Sequence, residues 1–218
     1  MPALASDLMA EVGGAQPRDW NPIPSVGFCG YVGSAWSRLL YLATGRTNKR
    51  LGLVLRARAT RALAASRDVE SKLILRPVFL GGADSGRFSD SRRFAAARQE
   101  FLDNVFGTDY TLCLRGAGNY SFRFYEVLSA GRIPLFVNTR CVLPCEDEID
   151  WHKHCCWVEE ADLQNLPQRL RAFHERLGPD GFMELQSANR HLWERWLSPR
   201  GFHEHAFDRA VSSGASSR

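Results

Sequence analysis

An α/β fold, with a mostly parallel sheet covered by helices on both faces, is what this 218-residue sequence predicts. Three observations carry that expectation. Short apolar, β-prone runs alternate with longer helical patterns along the chain. Two of the runs end in glycines and lead straight into a helix start, the corner found where a parallel strand gives way to its crossover. The composition, 44% apolar and 11% aromatic, is that of a folded globular chain long enough for one domain with a full core.

The elements follow in order. Residues 1–24 hold Pro17, Pro22 and Pro24 and lack periodicity, so they read as an N-terminal arm or linker remnant. Ser25 to Gly30 is a short strand running into glycines. Gly30 and Gly33 precede a helix capped by Ser34 and ended near Gly45. An Arg/Ala/Leu-rich helix covers 49–66, and Lys72 to Phe79 is the next strand, closed by Gly81-Gly82. Ser89 or Asp90 opens a helix to Phe106, stopped by Gly107. Tyr110 to Leu114 is a buried strand. A helix from about 121 to 130 ends at Gly131, and Arg132 to Val137 is a strand. Pro134 inside it asks for an edge position or a strand start and counts against a regular central strand. Cys155 to Val158 is the last strand. Asn165-Leu166-Pro167 opens a helix with proline in its first turn, and a second helix covers Phe182 to Leu197. The domain is expected over 25–200, with 201–218 as a tail that is Ser-rich from Ala210.

The most informative stretch is Leu114-Arg115-Gly116-Ala117-Gly118-Asn119-Tyr120-Ser121-Phe122-Arg123-Phe124-Tyr125-Glu126. It reads as strand end, Gly-rich turn and helix start. Asn119 or Ser121 is placed to cap the helix, and a helix start offers unpaired N–H groups and a positive dipole end to a phosphate. Arg123 and Glu126, three apart, share one helix face. A guanidinium suits a diphosphate, and a carboxylate suits a ribose diol. The same residues also occur where a glycine merely ends a strand and an Arg/Glu pair is merely solvated. The spacing is not that of the dinucleotide fingerprint.

Other clusters invite chemistry. Cys141, Cys145, His152, His154, Cys155 and Cys156 offer zinc ligands; their irregular spacing, and Leu143-Pro144 between the first two, favour a packed loop. Glu146, Asp147, Glu148 and Asp150 suit either acid–base work or an exposed acidic turn. Trp193 and Trp196 read as core-facing, His203 and His205 as surface residues, and Trp151 as packed by default, though of these aromatics the one better placed for a ligand. The charge of +4 is mild and dispersed, which argues against nucleic acid as a partner. No apolar run reaches membrane-spanning length and no signal peptide is evident, so a cytoplasmic chain with reduced cysteines is expected, membrane-associated only through a partner.

From Tyr110 onward the chain resembles the exostosin family of glycosyltransferases. The resemblance rests on Tyr110 to Gly116, Ser121-Phe122-Arg123-Phe124-Tyr125-Glu126, Gly131-Arg132-Ile133-Pro134 and Ile149-Asp150-Trp151. It is clear over about 110–160 and extends to 25–200 through the Gly30 corner and the Leu75-Arg76 strand end. It implies a Rossmann-like domain that is one half of a GT-B fold. It also implies transfer of a glycosyl group from a nucleotide-diphosphate sugar, UDP-linked, to a glycan acceptor, with inversion and without a cofactor or essential metal. The implied substrate-binding residues are Gly30, Arg76, Arg115, Gly116, Ser121, Phe122, Arg123 and Glu126, with Glu126 on the ribose and Arg123 and Arg115 on the diphosphate. No catalytic base is named. An acceptor-binding domain or chain is expected as partner, and a non-catalytic nucleotide-sugar-binding module is the alternative.

Overall fold

A computed structural model describes residues 16–45, 47–78 and 91–205. Five strands, all parallel, form one sheet: β1 Ser25–Tyr31, β2 Glu70–Arg76, β3 Tyr110–Cys113, β4 Ile133–Asn138 and β5 Cys156–Glu159. Their spatial order is β2-β1-β3-β4-β5, so the winding reverses between β1 and β3. The helices are α1 Ala35–Ala43, α2 Thr47–Ala65, α3 Ser91–Phe106, α4 Phe122–Ser129 and α5 Leu166–Leu192, the last running into a π-turn at Trp193–Leu197.

Strand alternation sorts the core into two layers. Val26 and Phe28, Tyr110 and Leu112, and Ile133, Leu135 and Val137 face one side, against Leu55 and Leu63 of α2 and Leu170 and Phe182 of α5. Cys29, Cys113 and Phe136 face the other, against Phe101 and Val105 of α3 and Phe124 and Val127 of α4.

The expected elements are present, with local differences. The expected helix start at Ser89 or Asp90 and the Gly81-Gly82 close fall outside the described residues, while the strand expected over Lys72–Phe79 runs instead over Glu70–Arg76 and stops before Pro77, which has no N–H for the ladder. Pro134 sits in an interior strand, not at an edge. It is tolerated because β4 pairs with β5 only from Leu135 onward, so the missing N–H falls at the strand start. The two expected C-terminal helices are continuous apart from a break at Gly178, which has φ 62° and is followed by Pro179. Residues 16–24 are not a bare linker. Arg18 pairs with buried Asp109 at 2.8 Å, and Trp20 stacks on His174 with ring centroids 5.2 Å apart. Among the described residues, no helix is long and apolar enough to cross a membrane.

Candidate functional site

Strands β1 and β3 pair only at Val26–Tyr110 and Gly27–Thr111. Beyond that they splay, leaving carbonyls at both strand ends without a sheet partner. Two arginines bridge the gap. Arg123, from α4, donates from Nη2 to Cys29 O at 2.6 Å and from Nη1 to Leu112 O at 3.4 Å. Arg56, from α2, donates from Nη1 to Tyr31 O and from Nη2 to Arg115 O, both at 3.0 Å. Arg123 therefore ties the carboxyl end of β1 to β3, and Arg56 ties it to the chain leaving β3. The Arg123 guanidinium also lies 4.5 Å from the Phe28 ring centroid, and its Nε is buried with no hydrogen-bond partner.

The two clamps crowd one another. Burial first, and the charge of Arg123 second, bring the Arg56 pKa down to about 10. Burial lowers that of Arg123 as well. Both remain cations at neutral pH, so two like charges are held at the point where the sheet opens.

A cavity of about 750 Å³ lies over this splay. Its lining, among the described residues, has five cations, Lys49, Arg56, Arg76, Arg98 and Arg123, and one carboxylate, Glu126. Arg98 Nη1 donates to Glu126 Oε1 at 2.7 Å, with both side chains largely shielded from solvent. Arg76 is turned toward α3, where its Nη2 donates to Glu100 Oε2 and Ala97 O. Tyr41, Phe94, Tyr120 and Phe122 add aromatic rings to the wall, and the last three are half exposed. The floor thus suits an anion and the mouth suits a flat or apolar group.

The glycine corner is built as the sequence suggests, with different partners. Gly116 N donates to Tyr120 O at 3.0 Å and closes the turn. Gly52 of α2 lets that turn approach, because a Cβ there would overlap Gly116 O. Gly30 does the same for Arg123, whose Nη2 would lie 2.8 Å from a Cβ. Ser121 stands at the N-cap of α4 but makes no capping bond. Asn119 does not cap either. Its amide donates to Thr139 O and Arg140 O and its carbonyl accepts from Thr139 Oγ1, fastening the turn to the loop after β4. The first N–H groups of α4 therefore lack a side-chain acceptor and lie beside the cavity.

Of the eight expected site residues, Gly30, Arg76, Gly116, Ser121, Phe122, Arg123 and Glu126 line the cavity and Arg115 does not. Arg115 is buried, with an unpartnered Nε, and its charge acts on Cys141 in the loop after β4, away from the cavity lining. Arg56 and Arg98 were not expected. Each lies mid-helix far from the motif, and an arginine in such a place looks the same whether it is solvated or turned into a crevice.

The competing clusters go elsewhere. Trp151 is buried against Phe124 and donates to Pro144 O, so it is core and not a cavity wall. Trp193 is core, while Trp196 stacks on His205. Glu146 accepts from Leu143 N and Asp150 from His152 N, which makes the acidic run a set of turn braces. Among the described residues no three metal-binding side chains gather at one point. Burial raises the Cys156 thiol to about 12 and Cys155 well above its usual value, away from the thiolate a metal needs.

Sequence comparison bears on this site. Exostosin-1 of Drosophila melanogaster is 36% identical over 89 residues, covering 40% of this chain and 11% of that protein. The Exostosin-1 homolog of Caenorhabditis elegans is 28% identical over 100 residues, covering 46% and 25%. Exostosin-1 of Bos taurus is 26% identical over 121 residues, covering 54% and 16%. The chain thus matches at most a quarter of the length of these relatives. Its five-stranded parallel sheet between helix layers is the arrangement of one Rossmann-like half of a GT-B fold. The Exostosin GT47 domain profile matches residues 59–173, more than half of the chain and all of β2 to β5, and the chain belongs to the exostosin glycosyltransferase family.

Proposed function

We propose that this chain binds a nucleotide-diphosphate sugar in the cavity over the β1/β3 splay and serves as the donor half of an inverting, metal-independent glycosyltransferase. One observation carries the reading. Two guanidiniums, Arg56 and Arg123, are fixed side by side at the sheet's switch point, in a cavity also lined by Lys49, by Arg98 paired with Glu126 and by Arg76 paired with Glu100. Like charges gathered in a crevice favour an anion, and ligands of open α/β sheets bind at this point of the topology. The α4 start supplies N–H groups and dipole to the same anion. As the glycosidic bond breaks, negative charge grows on the leaving diphosphate, and these fixed charges stabilise it. Glu126, oriented through Oε1 by Arg98, offers its second oxygen to the ribose hydroxyls. The volume, about 750 Å³, suits a ligand of this size.

The test is calorimetric titration of UDP and UDP-sugars into the chain without added metal. Glu126→Ala loses hydrogen bonds made to a charged group, which lowers UDP affinity at least about tenfold; it also leaves Arg98 without its carboxylate, so the unfolding midpoint falls while circular dichroism at the titration temperature is retained. Unchanged affinity in that variant removes the role given to Glu126, and no binding of any nucleoside diphosphate by the parent removes the reading. The second reading is a nucleotide-sugar-binding module that does not catalyse transfer. Transfer to a glycan acceptor, or slow hydrolysis of the donor, separates the enzyme from the module.

A further inference from the structure

Helix α1 is built inside out. Its apolar residues Trp36, Leu39, Leu40 and Ala43 recur at i, i+3, i+4 and i+7, the stripe that a helix ordinarily turns to the core. Here the stripe faces water: Trp36 is 79% exposed, Leu39 54% and Leu40 56%, and no described residue of α1 is buried. Its inward side, Ser37 and Tyr41, is the more polar one. A nine-residue helix has little stability by itself, and α1 packs chiefly on α2.

The charge of the hairpin's sequence is one-sided. From Trp20 to Arg67 the sequence holds no Asp or Glu and eight cations: Arg38, Arg46, Lys49, Arg50, Arg56, Arg58, Arg61 and Arg67. Lys49, Arg58 and Arg61 of α2 are exposed, and none of them has an ion pair among the described residues. Elsewhere the exposed Arg169 and Arg200 are each answered by an acid, Asp162 and Glu204.

We propose that the α1–α2 hairpin is a docking surface for an anionic lipid bilayer. Tryptophan and leucine enter the boundary between headgroups and acyl chains, while the unpaired cations meet lipid phosphates and carboxylates. Charge complementarity selects this occupant. A polyanionic glycan would account for the cations and leave the outward Trp-Leu-Leu stripe uncovered, and an acidic protein is the occupant left if the parent fails to bind anionic vesicles.

Co-sedimentation of the full chain with phosphatidylcholine vesicles, with and without one third phosphatidylserine, tests this. Binding is expected to the anionic vesicles and to weaken with salt. Removing surface cations costs about fivefold each, so Arg58→Glu with Arg61→Glu lowers the partition coefficient at least about tenfold. Leu39→Asp with Leu40→Asp abolishes binding. Both double variants touch only exposed positions and keep the parent's unfolding midpoint and nucleotide affinity. Failure of the parent to bind anionic vesicles overturns the proposal. So does full binding by the Leu39/Leu40 variant, which marks the face as a generic polyanion site. A concentration-dependent dimer broken by Leu40→Asp also overturns it, in favour of a second copy.

Discussion

Replacing Arg123 with lysine separates two jobs that the sequence alone merges. In the structure Arg123 is first a strap, because its planar fork joins Cys29 O and Leu112 O on two different strands. Lysine keeps the positive charge and reaches one carbonyl, but a single ammonium does not span the splay. The lost bond is one from a charged donor, worth about 1.5–3 kcal/mol. Flat stacking over Phe28 contributes ~0.5–1 kcal/mol more at a partly shielded site. Lysine recovers part of this through its own stem, leaving a net loss of about 2–3 kcal/mol. For a chain of this size each kcal/mol moves the unfolding midpoint by about 2–4 °C, so Arg123→Lys melts roughly 4–12 °C below the parent.

Thermal unfolding followed by circular dichroism measures the first quantity, and UDP titration of the folded variant measures the second. Because the charge survives, affinity falls less than about tenfold, in contrast to Glu126→Ala. The opposite pattern, a midpoint within about 2 °C of the parent and a nucleotide affinity reduced a hundredfold, refutes the strap. Arg123 would then be a ligand-binding group held only loosely by the strands. Arg56→Lys supplies a companion measurement. Both arginines close the same splay, so the double variant loses less than the two single losses combined.

Two further outcomes follow from contacts that helix propensity and composition do not register. Gly52→Ala should stabilise α2 by ~1 kcal/mol on propensity alone. Its new methyl overlaps Gly116 O, backbone that no rotamer change relieves, so the expected sign is a loss of about 1–3 kcal/mol with weakened UDP binding, and a raised midpoint contradicts this packing. His174 lies between Tyr110 Oη and Asn21 O, and burial above all lowers its pKa from 6.5. The unfolded chain takes up the proton first, so stability is full above pH 6.5 and falls as the pH drops below it. Denaturant titrations across that range should show the slope in the parent and a flatter one in His174→Gln.

What the sequence made legible was local. The Tyr110-to-Glu126 corner, the Ser34 cap that accepts from Ser37 N, and Gly131 with φ 61° are each specified by residues within one turn of each other. Asn119 shows where local reasoning stops. It is a residue type suited to a cap, yet it is spent on Thr139 and Arg140 some twenty residues away, and the N-cap position falls to Ser121, which makes no side-chain capping bond. Arg56 and Arg98 show the same limit from the other side. Nothing near either residue marks it, since what recruits them is the carbonyls freed by strand divergence and the carboxylate of Glu126. Both exist only once β1, β3 and α4 are in place.

That dependence bears on how the site is made. An arginine crossing from α2 or α4 to strand-end carbonyls stabilises the opening of the sheet, and the same guanidinium then presents its remaining N–H bonds to the cavity. On the proposed donor-site reading, folding and anion binding draw on one set of charges. A bound diphosphate relieves the repulsion between Arg56 and Arg123 and tightens the strand ends they hold. Nucleoside diphosphates should accordingly raise the unfolding midpoint, and the gain should shrink in Arg56→Lys and Arg123→Lys, where the splay is no longer doubly strapped.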